Sequence, residues 1–173
     1  MAQSTGNGHF CALVDASDCF DPASAEAAGV DLARVLWVRC GVRRQLKPLE
    51  QAFKAADILL HNGGFGIIAV DLGHIDERHI RRVPLTTWFR FARVVEKKPI
   101  ALVFLTNCPV GCAGLTLAMK PAVPRWKRTG HVDAQPCGLS LGEMEFEIEI
   151  EQSRLGKPVQ SARPKFTAAS LWA

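Results

Sequence analysis

The chain has 173 residues, of which 48% are hydrophobic and 22% charged, and its formal net charge is +4. This length and composition are typical of a globular protein with one sizeable core, and the charge is too mild to indicate nucleic-acid binding by itself. The sequence has no apolar run of the roughly 20 residues that a membrane span needs, and its start, MAQSTGNGH, lacks the pattern of a secretory signal. It therefore predicts a cytoplasmic protein without membrane association.

The first quarter of the chain predicts two strands and a short helix. Residues 10–15 form an apolar run that ends in Asp15, which is typical of a buried strand. Asp21 as N-cap and Pro22 at the first helical position predict a helix over 22–28 that ends at Gly29. Residues 35–38 are predicted as a second strand.

The middle of the chain repeats this alternation. An apolar face predicts a helix over 44–62, which the pair Gly63 and Gly64 ends. Residues 66–71 are a second apolar strand that ends in a carboxylate, Asp71. A helix over 86–97, capped by Thr86 or Thr87, and a strand over 100–106 follow. Strands that alternate with helices predict a parallel α/β sheet with right-handed crossovers.

After Asn107 the pattern changes to antiparallel strands. Strands are predicted over 113–119 and 144–150, joined by a loop that is rich in Pro, Gly and basic residues, and a short strand is predicted from 165. Within 144–150 apolar residues alternate with glutamates, which predicts one buried face and one solvated acidic face. The predicted organisation is a disordered leader over 1–9, a single domain over 10–168 and a tail over 169–173.

Cysteines and histidines do not predict a metal site. Cys108 and Cys112 are the only close pair among the six cysteines, and their spacing differs from that of a zinc knuckle. The cysteines are interpreted as small buried side chains in a reducing compartment. The histidines are scattered along the chain, and none pairs with a cysteine or a carboxylate at ligand spacing on one element.

Three stretches carry a resemblance to a known family. The order CALVDASDCFDPASAEAAGVDLARVLWV, GGFGIIAVDL and IALVFLTN resembles the ATPase core of the RecA recombinase family, over about residues 10–155. Within that family, GGFG and VPLTTWFRFARVVE are most similar to the SOS-associated ImuA proteins. The resemblance implies a RecA-like, P-loop NTPase-type α/β fold. Its mostly parallel sheet would have flanking helices and C-terminal antiparallel strands, with the first strand and the Walker A loop missing from this chain.

The resemblance also implies a nucleotide site at the carboxyl ends of the parallel strands, where open α/β sheets bind ligands. Asp71 matches the Walker B acid, which holds magnesium. Asn107 matches a glutamine that senses the γ-phosphate, and Arg154 lies where one of two lysines reaches a neighbouring subunit's nucleotide. Asp15 and Asp21 complete the implied nucleotide-binding residues.

Two departures argue against catalysis. The sequence contains no G-x-x-x-x-G-K-[ST] loop, and Ser17 stands where the resemblance implies the glutamate that activates water. A serine hydroxyl cannot act as a general base unaided. We therefore expect no catalytic residue, negligible ATPase activity and no cofactor in this chain, although the complete family binds ATP and Mg²⁺. Three explanations of the missing loop and strand remain open. They are a true start upstream of Met1, a gap in the sheet that residues 1–9 partly fill, and a partner chain that completes the sheet.

Three functional hypotheses follow. The first is a non-catalytic adaptor in DNA repair, the SOS response and translesion synthesis, whose partners are a RecA-type recombinase, or an ImuB-type polymerase homologue with an error-prone polymerase. The second is a direct single-stranded DNA binder, which the cations on both sides of an aromatic indicate at Arg125, Trp126, Lys127 and Arg128. The third is a residual ATPase or ATP-sensing domain.

Overall fold

The computed structural model describes residues 1–41, 47–110, 114–120, 123–129, 138–145, 148–153 and 165–167. The chain divides into two compact units, Met1–Cys112 and Ala113–Ala173, where the sequence predicts a single domain. None of the helices in the described ranges combines the length and apolarity that a membrane span requires.

The first unit is built on a four-stranded parallel sheet. Its strands are β1 (Phe10–Asp15), β2 (Val35–Arg39), β3 (Phe65–Asp71) and β4 (Ala101–Leu105). They lie in the order β2-β1-β3-β4, and every neighbouring pair is parallel. This confirms the predicted α/β class, because parallel neighbours need crossover connections and helices supply them here.

Five helices lie in the described part of this unit. They are α1 (Ala2–Gly6), α2 (Pro22–Ala27), α3 (Pro48–Asn62), α4 (Glu77–Arg81) and α5 (Leu85–Val95), and a 3₁₀ turn spans Leu32–Arg34. The core contains apolar side chains of β1 and β3 together with the inner faces of α3 and α5. Phe53, Trp88, Phe91 and Phe104 form an aromatic cluster inside it, with ring centroids 5.0 to 6.3 Å apart. Because Trp88 and Phe91 are buried there, the outer face of α5 is left to solvent.

Helix ends agree with the capping signals in two cases and differ in one. Asp21 caps α2, and Gly63 and Gly64 follow α3 with φ of 72° and 85°, as the sequence predicts. The prediction that Thr86 or Thr87 caps the helix is wrong. Helix α5 begins after Pro84, and no side chain of a described residue caps it. The predicted start of the long helix at residue 44 lies outside the described residues, and α3 begins at Pro48.

Residues 1–9, predicted as a disordered leader, contain α1. The buried Thr5 hydroxyl donates to the carbonyl oxygens of Met1 and Ala2 and accepts from the Asp31 backbone N–H at 3.1 Å. Arg34 donates to the Gly8 carbonyl at 2.8 Å. These long-range contacts join residues 1–9 to the 3₁₀ turn before β2.

The described residues of the second unit contain five strands in two antiparallel sheets. They are β5 (Leu115–Met119), β6 (Val123–Thr129), β7 (Gly138–Glu145), β8 (Ile148–Ser153) and β9 (Lys165–Thr167). β5 pairs with β8, and β7 lies between β6 and β9. The single strand predicted over 144–150 is wrong, because β7 ends at Glu145 and β8 belongs to the other sheet. The predicted basic loop is also wrong, since part of it forms β6.

Candidate functional site

Two carboxylates meet at the carboxyl edge of the parallel sheet. Asp15 ends β1, Asp71 ends β3, and the parallel register makes them direct neighbours. The turns that follow them are joined as well, because the Ala16 N–H donates to the Asp71 carbonyl at 3.1 Å. This edge is where ligands of open α/β sheets bind, and we call its residues Asp15, Ser17, Asp71 and His74 the strand-end cluster.

Asp15 is a structural carboxylate. Its side chain is fully buried and accepts from the backbone N–H groups of Ser17, Cys19 and Phe20 at 3.1 to 3.3 Å. Its Oδ2 also accepts from the indole Nε1 of Trp37 at 3.2 Å. These four donors organise the turn over residues 16–20 and occupy both carboxylate oxygens. Asp15 therefore has no oxygen left for orienting a water molecule, unless this turn opens.

Ser17 links the two strand ends. Its hydroxyl donates to Asp71 Oδ1 at 3.3 Å and accepts from the His74 backbone N–H at 3.1 Å. The same Oδ1 accepts from the Gly73 N–H at 2.8 Å. The residue at the position of the implied catalytic glutamate thus acts as a hydrogen-bonded bridge between neighbouring turns. Sequence reasoning identified the substitution but not this bridge.

Asp18 is turned away from the cluster. Its backbone has a positive φ of 52°, and its carboxylate forms a two-point ion pair with Arg39 at 2.7 and 2.8 Å. The Arg39 guanidinium in turn lies 5.2 Å from the centroid of the Trp37 ring. The Asp18 carboxylate is therefore paired with Arg39, the last residue of β2. This is expected, because neighbouring residues at a strand end, here Ser17 and Asp18, point to opposite faces.

An exposed thiol and an imidazole also meet at this edge. Cys19 Sγ lies 3.5 Å from His74 Nδ1, and both side chains are exposed. Sequence reasoning missed this contact, because the two residues follow different strands. The signal that could have revealed this contact is the spacing from the strand-end aspartates: Cys19 stands four residues after Asp15, and His74 stands three residues after Asp71.

The other implied nucleotide-binding residues have separate roles in the fold. Asp21 caps α2 by accepting from the N–H groups of Ala23 and Ser24 at 3.2 Å, and its pKa is lowered mainly by the Ser24 hydroxyl. Asn107 lies beyond the end of β4 and donates to the Ile75 carbonyl at 3.1 Å. The position of Arg154 lies outside the described residues.

The residues predicted to bind single-stranded DNA lie in the second unit, on β6. The pairing of β6 with β7 shifts register between Arg125 and Trp126. Trp126 is 58% exposed, as a base-stacking residue would need to be. Lys127 and Arg128 continue the strand, and only their backbone is described.

The implied magnesium site has one candidate ligand. Asp71 is half-buried, and its Oδ2 accepts no hydrogen bond from a described residue, so one carboxylate oxygen is available. Within the described ranges, no group of three or more His, Cys, Asp or Glu side chains is arranged to hold a metal ion. Mg²⁺ commonly uses one or two carboxylates and takes its other ligands from water and phosphate. A magnesium ion at Asp71 would therefore depend on ligands that this cluster does not supply.

Comparison with known proteins gives RecA relatives. The chain is 37% identical over 71 residues to the RecA protein of Borrelia hermsii, which covers 41% of this chain and 18% of that protein. The RecA proteins of Rickettsia prowazekii and Colwellia psychrerythraea are each 34% identical over 71 residues, which is 19% of their length. No protein-family model matches the chain.

The similarity is limited in length and agrees with the fold. The match spans less than a fifth of the curated relatives, while the four-stranded parallel sheet with flanking helices agrees with a RecA-like core. The chain is therefore similar in sequence to RecA proteins over 71 residues, and its α/β sheet is consistent with a RecA-like core.

Proposed function

We propose that this chain is a non-hydrolytic, RecA-like component of DNA repair that acts by binding other proteins. One observation carries the proposal: Asp15 accepts four hydrogen bonds within the fold, and the Ser17 hydroxyl bridges Asp71 Oδ1 and the His74 N–H. In this arrangement the groups that would activate and orient a water molecule hold two turns together. The similarity to RecA supports the repair context.

The chemistry of the cluster supports the non-hydrolytic assignment. General-base catalysis needs a group whose pKa lies near the working pH and that can reach the attacking water. Asp15 is buried under four hydrogen bonds, and Ser17 has a hydroxyl where the resemblance implies a carboxylate. Loss of one such catalytic interaction commonly costs a factor of about 10² to 10⁴ in rate.

As an adaptor, the chain would contact a RecA-type recombinase, or an ImuB-type polymerase homologue with an error-prone polymerase. The ImuA resemblance suggests these partners, which operate in the SOS response and translesion synthesis. A RecA-like scaffold whose Asp15 and Ser17 side chains are held by hydrogen bonds within the fold is suited to such contacts. A partner protein can recognise its surface without cycles of nucleotide hydrolysis.

The test combines turnover and association. Phosphate release from Mg-ATP would be measured for the purified chain with and without single-stranded DNA, beside a RecA recombinase as a positive control. We expect release at the buffer background under both conditions. Direct binding of the chain to each purified partner would be measured in the same preparation. Turnover at the level of the recombinase, or the failure of every partner to bind, would overturn the proposal.

Direct single-stranded DNA binding is a second candidate, and the exposure of Trp126 beside Arg125 on β6 favours it. Affinity for oligothymidylate should then fall steeply with salt, because each neutralised phosphate contributes about −0.7 to the log–log slope on single strands. Ala at Arg125, Lys127 and Arg128 should flatten that slope, while Trp126→Ala should weaken binding at all salt concentrations. An unchanged slope in the triple variant would argue against this surface.

A further inference from the structure

A groove of about 630 Å³ lies between the end of α3, at His61, and the outer face of α5. We call it the α5 groove. On α5 and just after it, side chains three and four positions apart share one helix face. Those that line the groove and carry the argument are Phe89, Arg90, Arg93, Val94, Lys97 and Lys98.

The α5 groove has a surplus of positive charge. Arg93 and Lys97 are exposed and form no ion pair with any described residue. Arg90 lies 3.6 Å from Asp57, a carboxylate that also lies 3.8 Å from His61. Lys98 donates to the carbonyl oxygens of Leu60 and His61 and so caps α3. The two unpaired cations are therefore available to an acidic ligand.

Exposed apolar side chains lie in the groove, at Phe89, and elsewhere on the two helices that flank it, at Leu85 and Ile58. Phe89 is 46% exposed, and Leu85, one turn before it on α5, is 59% exposed. Ile58, one turn before His61 on α3, is 60% exposed. The stems of arginine and lysine add apolar area under their charged ends. An exposed phenylalanine beside unpaired cations provides an apolar contact and a charge contact within one helix length.

We propose that the α5 groove binds an acidic segment of a partner protein that inserts one large apolar side chain against Phe89. Charge complementarity argues for this occupant, because the unpaired cations attract carboxylates and fix orientation, while Phe89 and Val94 offer an apolar contact. A nucleic-acid strand would also use the cations and could stack one base on Phe89, but the other apolar lining residue, Val94, offers no ring for a second base. The inference rests on the proposed adaptor function and specifies the surface that performs it.

The test uses the full chain and defined probes. A fluorescent peptide of about 12 residues, rich in Asp and Glu with one central Phe, would be titrated by anisotropy. The comparison probes are the same peptide with Ala for Phe, a peptide with Lys for its acids, and oligothymidylate of equal length. The groove variants are Arg93→Glu with Lys97→Glu, and Phe89→Ala. The matched control is Arg78→Glu with Arg82→Glu, which makes the same charge change at exposed positions on and next to α4.

We expect the acidic Phe peptide to bind, the double groove variant to weaken it by about tenfold or more, and Phe89→Ala to weaken it severalfold. The control variant should stay within about twofold of the wild-type affinity. Equal loss in the control, no peptide binding, or tighter groove-dependent binding of oligothymidylate would each overturn the inference. If the partner proteins bind the double groove variant normally, the adaptor function stands and the groove assignment fails. If no partner binds the wild type, the adaptor function itself fails.

Discussion

At the scale of single residues, Asp15 stabilises the turn that shapes the strand-end cluster. Asp15→Ala would leave three backbone N–H groups and the Trp37 indole N–H without their acceptor. Each buried unsatisfied donor costs about 1 to 3 kcal/mol, and partial rehydration reduces the sum, so we expect a loss of about 3 kcal/mol. Urea unfolding followed by circular dichroism measures this change.

Trp37→Phe is the matched control for Asp15→Ala, because it removes one donor and keeps an aromatic ring near Phe20. Its unfolding free energy should fall by only about 1 kcal/mol. Since this variant changes the fluorescence signal, circular dichroism would follow both variants. Equal effects of the two substitutions would contradict the central role of the carboxylate.

Thiol reactivity separates Cys19 from the buried cysteines that the structure describes. Burial raises the pKa of the Cys40 thiol, and the Asp15 charge raises it further. Burial and the Glu77 charge raise the pKa of the Cys108 thiol, and the Arg81 charge lowers this pKa in part. A raised thiol pKa lowers the thiolate fraction near neutral pH, and the thiolate is the reactive form. Cys19 is exposed and should react first.

Peptide mapping after a short pulse of iodoacetamide would measure this order. We expect alkylation at Cys19 well before Cys40 or Cys108, and all three should react alike after denaturation. Native-state labelling of Cys40 or Cys108 at the Cys19 rate would show that the β2 and β4 ends open readily.

At the scale of elements, the Asp21 cap makes the stability of α2 depend on pH. The pKa of Asp21 is lowered from 3.8 in the fold, mainly because the Ser24 hydroxyl bonds its carboxylate. The contribution of this charge is therefore present above pH 3.8 and is lost as the pH falls through the lowered folded-state value. Asp21→Ala should speed amide hydrogen exchange at Ala25 and Ala28 near neutral pH.

Asp21→Asn is the matched variant, because asparagine is a good N-cap without a charge. It should keep most of the protection of α2 near neutral pH and lose its dependence on acid. Exchange in Asp21→Ala that equals the wild type near neutral pH would show that the cap does not stabilise this helix.

The elements also show how far the sequence could predict the fold. The apolar runs of β1 and β3 and the Gly63 stop predict their elements well, since burial on both faces and a positive φ leave clear patterns. The α4 helix has five residues and too little periodicity to be recognised. The alternation over 144–150 indicates faces but not partners, so it could not reveal that β7 and β8 enter different sheets.

At the scale of the whole molecule, sheet topology predicts which positions meet, and tertiary contacts decide what they do. The strand-end rule places Asp15 and Asp71 side by side, and their register confirms this. The Ser17 bridge and the Trp37 donor depend on turns that are far apart in the chain, so no local pattern predicts them. Sequence reasoning thus found the carboxylates but not the bonds that occupy them.

The central claim is that Asp15 and Ser17 are held by hydrogen bonds within the fold, and that the strand-end cluster does not hold a magnesium nucleotide. Isothermal titration of the purified chain with Mg-ATP, beside Asp71→Asn, tests it most directly. We predict no saturable binding in either protein. Saturable, magnesium-dependent binding that Asp71→Asn abolishes would contradict the account.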